Sequence, residues 1–148
     1  MRIEALKSDF EVLEDWEDRY RHVIELGKEL PTLEEADHTA ANKVRGCASQ
    51  VWLVAKVSGS ADEPIVTFEG DSDALIVKGL VAIALMIYSG KTAREIVAID
   101  AAPILRELGL HDHLTPQRSN GFASMIGRIK SDARAALQRS PVEGIAGR

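Results

Sequence analysis

Cysteine is almost missing from this chain: Cys47 is the only one in 148 residues. A lone thiol excludes an intramolecular disulfide and a multi-cysteine metal site, and it fits a reducing compartment, because secreted domains of this size that use cysteine usually carry an even set. There is no basic excess either. The 18 Lys and Arg against 23 Asp and Glu leave a formal charge of −5 with no basic block, so the sequence offers no electrostatic footprint for nucleic acid. The opening MRIEALKSDFEVLEDW is acidic and amphipathic, without the basic start and apolar stretch of a secretory signal, and a cytoplasmic location is expected. The longest greasy run, Ala74 to Tyr88, contains Lys78 and would span about 22 Å as a helix against a bilayer core of about 30 Å. A buried core helix is expected there, and no membrane span. With no repeats and no internal linker, the chain is expected to form one domain over 1–148.

What the sequence does contain is periodicity. Ile3, Leu6, Phe10 and Leu13, then Trp16, Tyr20, Val23, Ile24 and Leu26, recur at helical spacing up to Pro31, which predicts two amphipathic helices broken near Asp15. The polar segment PTLEEADHTAAN predicts a loop with one helical turn. QVWLVAKVS and PIVTFEG, parted by GSADE, predict an antiparallel hairpin. Val51, Leu53, Ala55 and Val57 share one face and Trp52 and Val54 the other, so helices are expected over both faces. Residues 42–46 are a candidate third, very short strand. GDSDA predicts a helix start capped by Ser72 or Asp71, with Asp73 complementing the dipole. The nearly all-apolar central helix then stops at Gly90. Thr92 is expected to cap a further helix, Pro103 to sit in the first turn of another, and HDHLTPQRSNG to be a polar loop before a last helix that buries Phe122, Met125, Ile126, Ile129 and Leu137. The tail SPVEGIAGR, from about residue 140, has little to bury and is expected to be flexible. The fold class is therefore α+β: a small antiparallel sheet of about three strands packed by helices.

In KVRGCASQVW, Gly46 permits a sharp bend that presents Cys47 at a loop tip. A free thiol titrates near about pH 8.5 and reacts as the thiolate. Lys43 and Arg45, four and two residues earlier, would share its side in extended backbone and raise the thiolate fraction. Against this stands the plainer reading of Cys47 as a small buried hydrophobe, although Arg, Gly, Ala, Ser and Gln around it suit a loop better than a core.

VRGCASQVWLVA resembles the active-site segment of the SufE family, sulfur acceptors of iron–sulfur cluster assembly. RYRHVIELGKELP, FEGDSDALIVKGLVAIALMIYSG and HLTPQRSNGFASMI agree with the family in the same order, so that the likeness spans about residues 8–135. The resemblance implies a fold similar to the cluster scaffold IscU. It also implies that the chain takes a persulfide sulfur from a PLP-dependent cysteine desulfurase, SufS-like or CsdA-like, stimulates that enzyme, and passes the sulfur to an iron–sulfur scaffold complex. Cys47 is then the acceptor, with no PLP, metal or other cofactor of its own. A single cysteine suits that role, because a second thiol in reach would attack the new persulfide and release sulfide. Nothing in the sequence argues against a monomer.

Arg118 matches a recurring arginine of the motif. It is expected either to stabilise a thiolate or persulfide anion together with helix amides or merely to hold its loop by a salt bridge or carbonyl cap. Arg45 reads as a solvated or partner-facing charge, Gln50 as a bond to the loop backbone, and Asp73 as serving the helix start ahead of its other reading, a restraint on the cysteine loop. His111 and His113 lie about 65 residues from Cys47 without a hydrolase signature, and HDH alone supplies too few ligands for zinc; His113 matches the family motif and reads as structural. Trp52 reads as a core or partner-surface anchor. Two other functions remain open on the sequence: a cluster scaffold, against which a single cysteine argues, and a thiol redox sensor.

Overall fold

The alternation between Val51 and Ser72 produces the expected hairpin in the computed structural model, which describes residues 3–138 without the side chain of His111; the predicted flexible tail lies outside the described residues. Strands β1 (Val51–Gly59) and β2 (Pro64–Ser72) pair antiparallel, with Val51 opposite Ser72 and Gly59 opposite Pro64. The third strand is not at residues 42–46. It is β3 (Lys91–Thr92), which pairs with Ile65 and Val66 on the far side of β2. Residues 42–44 form only an isolated bridge to β1, with the Val44 amide donating to the Val51 carbonyl and the Leu53 amide to the Asn42 carbonyl, each at 2.8 Å. The chain leaves β geometry directly afterwards, because Gly46 adopts φ +90°, a left-handed value that suits glycine.

Helices α1 (Ile3–Val12) and α2 (Trp16–Lys28) are separated at Asp15, whose carboxylate accepts from the Glu17 amide as an N-cap. A single 3₁₀ turn, Glu35–Asp37, follows. The central helix α3 (Leu75–Tyr88) buries Val77, Leu80, Val81, Ile83, Ala84 and Ile87. It lies against the inward face of the sheet, where Val51, Leu53, Val66 and Phe68 are also buried. Its crossing with α2 is very close: a Cβ on Gly79 would lie 2.2 Å from the Val23 carbonyl oxygen, so only glycine lets the two backbones approach this far. The other face of β1 is covered at one end only. His38 packs edge-on against Trp52 at 4.6 Å, whereas Lys56, Val57 and Ser58 are exposed, because the hairpin projects beyond its helices.

The remaining helices are α4 (Ala93–Ala98), α5 (Ala102–Glu107), α6 (Leu110–His113) and α7 (Pro116–Gln138). Thr92 caps α4 in a reciprocal box with Glu95, and Pro103 stands in the first turn of α5, both as the sequence predicts. Two expectations need correction. Asp71 and Ser72 do not cap α3; they belong to β2, and α3 begins after Ala74 with no side-chain cap. The predicted loop HDHLTPQRSNG is largely helical: α6 gives way to α7 across only Leu114 and Thr115, with the Arg118 amide donating to Thr115 Oγ1 at 3.2 Å and Pro116 opening the helix.

Candidate functional site

Cys47 lies in the turn between the Lys43–Trp52 bridge and β1, against the first turns of α7. Gly46 makes that approach possible, because its φ of +90° disfavours any side chain there. A Cβ on Gly46 would meet Ser124 Oγ at 2.5 Å; Gly121 faces the cysteine from α7, where a Cβ would stand in ordinary contact, 3.6 Å from Sγ. The thiol is half-buried and donates to the Gly121 carbonyl at 3.5 Å. Beyond the sulfur opens a cavity of about 230 Å³. Val77, Leu80 and Met125 line it with apolar surface, and Ser49, Gln117 and Arg118 contribute polar groups.

Burial pushes the Cys47 thiol above its ordinary titration range, because desolvation disfavours the thiolate. Activation by Lys43 and Arg45, expected from alternation, does not occur in this structure. The turn at Gly46 breaks the alternation, and both cations instead line a separate groove with Ser124 and Arg128. The resting sulfur is therefore a protonated thiol facing a helix carbonyl. Arg118 occupies the first turn of α7, partly exposed, and lines the cysteine cavity. Among the described residues its guanidinium makes no hydrogen bond or ion pair.

Gln50 and Asp73 close the far end of the cysteine turn. The Gln50 amide donates to Asp73 Oδ1 at 3.0 Å, Gln50 Nε2 donates to Oδ2 at 3.4 Å, and the Asp73 amide donates back to the Gln50 carbonyl at 3.3 Å. Asp73 thus restrains the loop after Cys47 instead of serving the start of α3. Of the predicted residues, Cys47 and Arg118 share one cavity, Gly46 shapes the turn, and Gln50 with Asp73 ties it down. Arg45 belongs to the groove on the other side.

The sequence reading missed Gly121 and Thr115. Gly121 carried a signal: glycine inside a helix costs about 1 kcal/mol relative to alanine, so a reason for it in α7 was to be sought. It also missed His38, whose Nε2 donates to Asp71 Oδ2 at 2.7 Å while Nδ1 donates to the Glu34 carbonyl at 2.9 Å. The hydrogen bond to Asp71 raises the His38 titration above its ordinary value. Burial alone would push the Asp71 carboxyl up, but bonds from His38, the Ser72 amide and Lys78 outweigh it and hold the group below the ordinary range. His113 lies against Trp16, rings stacked at 3.8 Å, and does not line the cysteine cavity. Among the described residues no group of three or more His, Cys, Asp or Glu side chains is placed to hold a metal ion, and no helix is long and apolar enough to cross a membrane.

Comparison with known proteins agrees with this architecture. The chain is 57% identical over 135 residues to an uncharacterized SufE-like protein of Rhizobium meliloti, covering 91% of this chain and 96% of that one. It is 58% identical over 132 residues to an uncharacterized SufE-like protein of Rhizobium etli, covering 89% of each. The solution structure of a hypothetical protein from Thermus thermophilus superposes with a TM-score of 0.70 at 20% identity, over 93% of this chain and 99% of that one, a likeness of fold. The SufE family, described as an Fe-S metabolism associated domain, matches residues 4–133, and the chain belongs to that family, with a role in iron–sulfur metabolism.

Proposed function

We propose that the protein is a sulfur carrier that accepts a persulfide sulfur on Cys47 from a PLP-dependent cysteine desulfurase, stimulates that enzyme by removing its product, and delivers the sulfur to an iron–sulfur scaffold. The observation that carries this reading is a solitary, half-buried thiol on a tight turn, opening onto a cavity larger than its own sulfur needs. Cys47 thiolate attacks the outer sulfur of the donor persulfide; the new Sγ–S bond forms as the donor's S–S bond breaks, and the donor cysteine leaves as thiolate. No net oxidation occurs, and the proton lost by Cys47 balances the one gained by the leaving thiolate. Because burial favours the thiol, docking has to loosen the Gln50–Asp73 tie and expose the sulfur. Arg118 is the cation that lines the same cavity and is suited to stabilise the attacking thiolate and the product persulfide. In the closed state the apolar wall of Val77, Leu80 and Met125 shelters the carried sulfur.

The test is transfer of label from sulfur-labelled cysteine in the presence of a desulfurase and PLP. Wild-type protein is expected to retain label under non-reducing conditions and Cys47→Ser to retain none. Label on the serine variant would refute the assignment.

A further inference from the structure

Cys47 is flanked by a second depression that the transfer chemistry does not use. Across the turn from the cavity runs a groove of about 430 Å³ between residues 40–45 and α7. Its floor is made of small residues, Ser124, Gly127 and Ser131, and Lys43, Arg45 and Arg128 supply its charge; no carboxylate lines it. Arg128 is committed to the fold. Its guanidinium donates to both Asp132 oxygens and to the carbonyls of Ala41 and Lys43, which pins the groove wall to α7. Lys43 and Arg45 are exposed and form no ion pair among the described residues, in a chain whose net charge is −5. With Arg128 neutralised by Asp132, Lys43 and Arg45 leave two cations without a counter-charge in a groove of an acidic protein, beside its reactive sulfur.

Its position decides what meets it. Ser124 on the groove side and Gly121 on the cavity side are three residues apart on α7, an axial rise of about 4.5 Å. A specific protein partner covers about 800 Å² of each surface, so any protein that reaches Cys47 also covers the groove. We propose that the groove docks a carboxylate-rich segment of the sulfur-donating protein, with Lys43 and Arg45 as the residues that recognise it. This rests on the function proposed above. Charges at the rim of an interface act mainly through the rate of encounter and its salt dependence, so the groove selects and steers the donor while Cys47 performs the exchange.

The test measures the concentration of this protein that half-saturates sulfur loading by a desulfurase, at low and at moderate salt, for wild type, a Lys43→Glu/Arg45→Glu double variant, and Arg94→Glu as a control on α4, outside both depressions. The double variant is expected to raise that concentration about tenfold and to flatten its salt dependence, whereas the control follows wild type. An octa-glutamate peptide is expected to compete with loading of wild type and not of the double variant. An unchanged half-saturating concentration and salt response in the double variant would overturn the proposal, as would stronger competition by single-stranded DNA than by the peptide. If wild type takes no sulfur at all, the proposed function fails instead; fluorescence anisotropy of labelled octa-glutamate, expected to rise with wild type and not with the double variant, then decides the groove by itself.

Discussion

Replacing Asp73 by alanine removes the two bonds its carboxylate accepts from Gln50, at 3.0 and 3.4 Å, and leaves the backbone bond between the same two residues. Each such bond contributes about 0.5–1.5 kcal/mol net. Both residues are exposed, which places the pair toward the lower end, about 1–2 kcal/mol together. The loss falls on closure of the cysteine turn and not on the core, so the population of open turn should rise about 5- to 30-fold. Alkylation of Cys47 by iodoacetamide at fixed pH reads that population directly and should accelerate by the same factor. The closed native turn loses the same free energy relative to the unfolded chain, so Tm should fall by about 2–8 °C, and the labelling rate is what assigns the loss to the turn. If alkylation of Asp73→Ala stayed within twofold of wild type, the carboxylate would not hold the turn. If Tm fell in that range while labelling stayed unchanged, Asp73 would be supporting α3, as its position in the sequence first suggested.

Three other outcomes follow from the same geometry. Because burial raises the Cys47 titration, the protonated thiol contributes stability that is fully present below the ordinary thiol value and is lost as pH rises through the folded value; the alkylation rate of the free protein should keep climbing above about pH 8.5, and a plateau below that pH would contradict the burial argument. His38 is raised by Asp71, so its contribution is fully present below about pH 6.5 and lost as pH rises through the folded value. In a Trp16→Phe background, Trp52 emission should therefore titrate with a midpoint above 6.5 and stop doing so in His38→Gln; a midpoint at or below 6.5 would contradict the ion pair. Gly79→Ala drives a Cβ into the Val23 carbonyl and should destabilise by about 3 kcal/mol, a Tm loss of about 6–12 °C; calorimetry showing a loss under 2 °C would mean that α2 and α3 cross less closely.

Local pattern announced most of the fold because most of it depends on local pattern. Alternation from Val51 onward placed the hairpin, and the apolar run after Ala74 placed α3. Both periodicities express a buried face that persists over several turns or pleats. Two-residue β3 is too short for any period to register, and it exists only because Ile65 and Val66 offer an edge. The start of α7 was obscured by its polar first turn, whose stability comes from the Thr115 cap and Pro116 and not from burial. At the site, the cysteine turn was readable from Gly46 and Cys47 together. Which side Lys43 and Arg45 occupy was not, because it depends on a single left-handed residue that reverses the alternation. The ties between Gln50 and Asp73 and between His38 and Asp71 join residues 23 and 33 positions apart, and nothing local distinguishes such carboxylates from helix caps.

The most direct measurement on the central claim is the intact mass of the protein after incubation with a cysteine desulfurase, PLP and cysteine, followed by non-reducing peptide mapping. A gain of about one sulfur atom, located on the peptide that contains Cys47 and reversed by a reducing thiol, is the predicted result. An unchanged mass while the desulfurase turns over, or a gain located on a peptide without Cys47, would contradict the account.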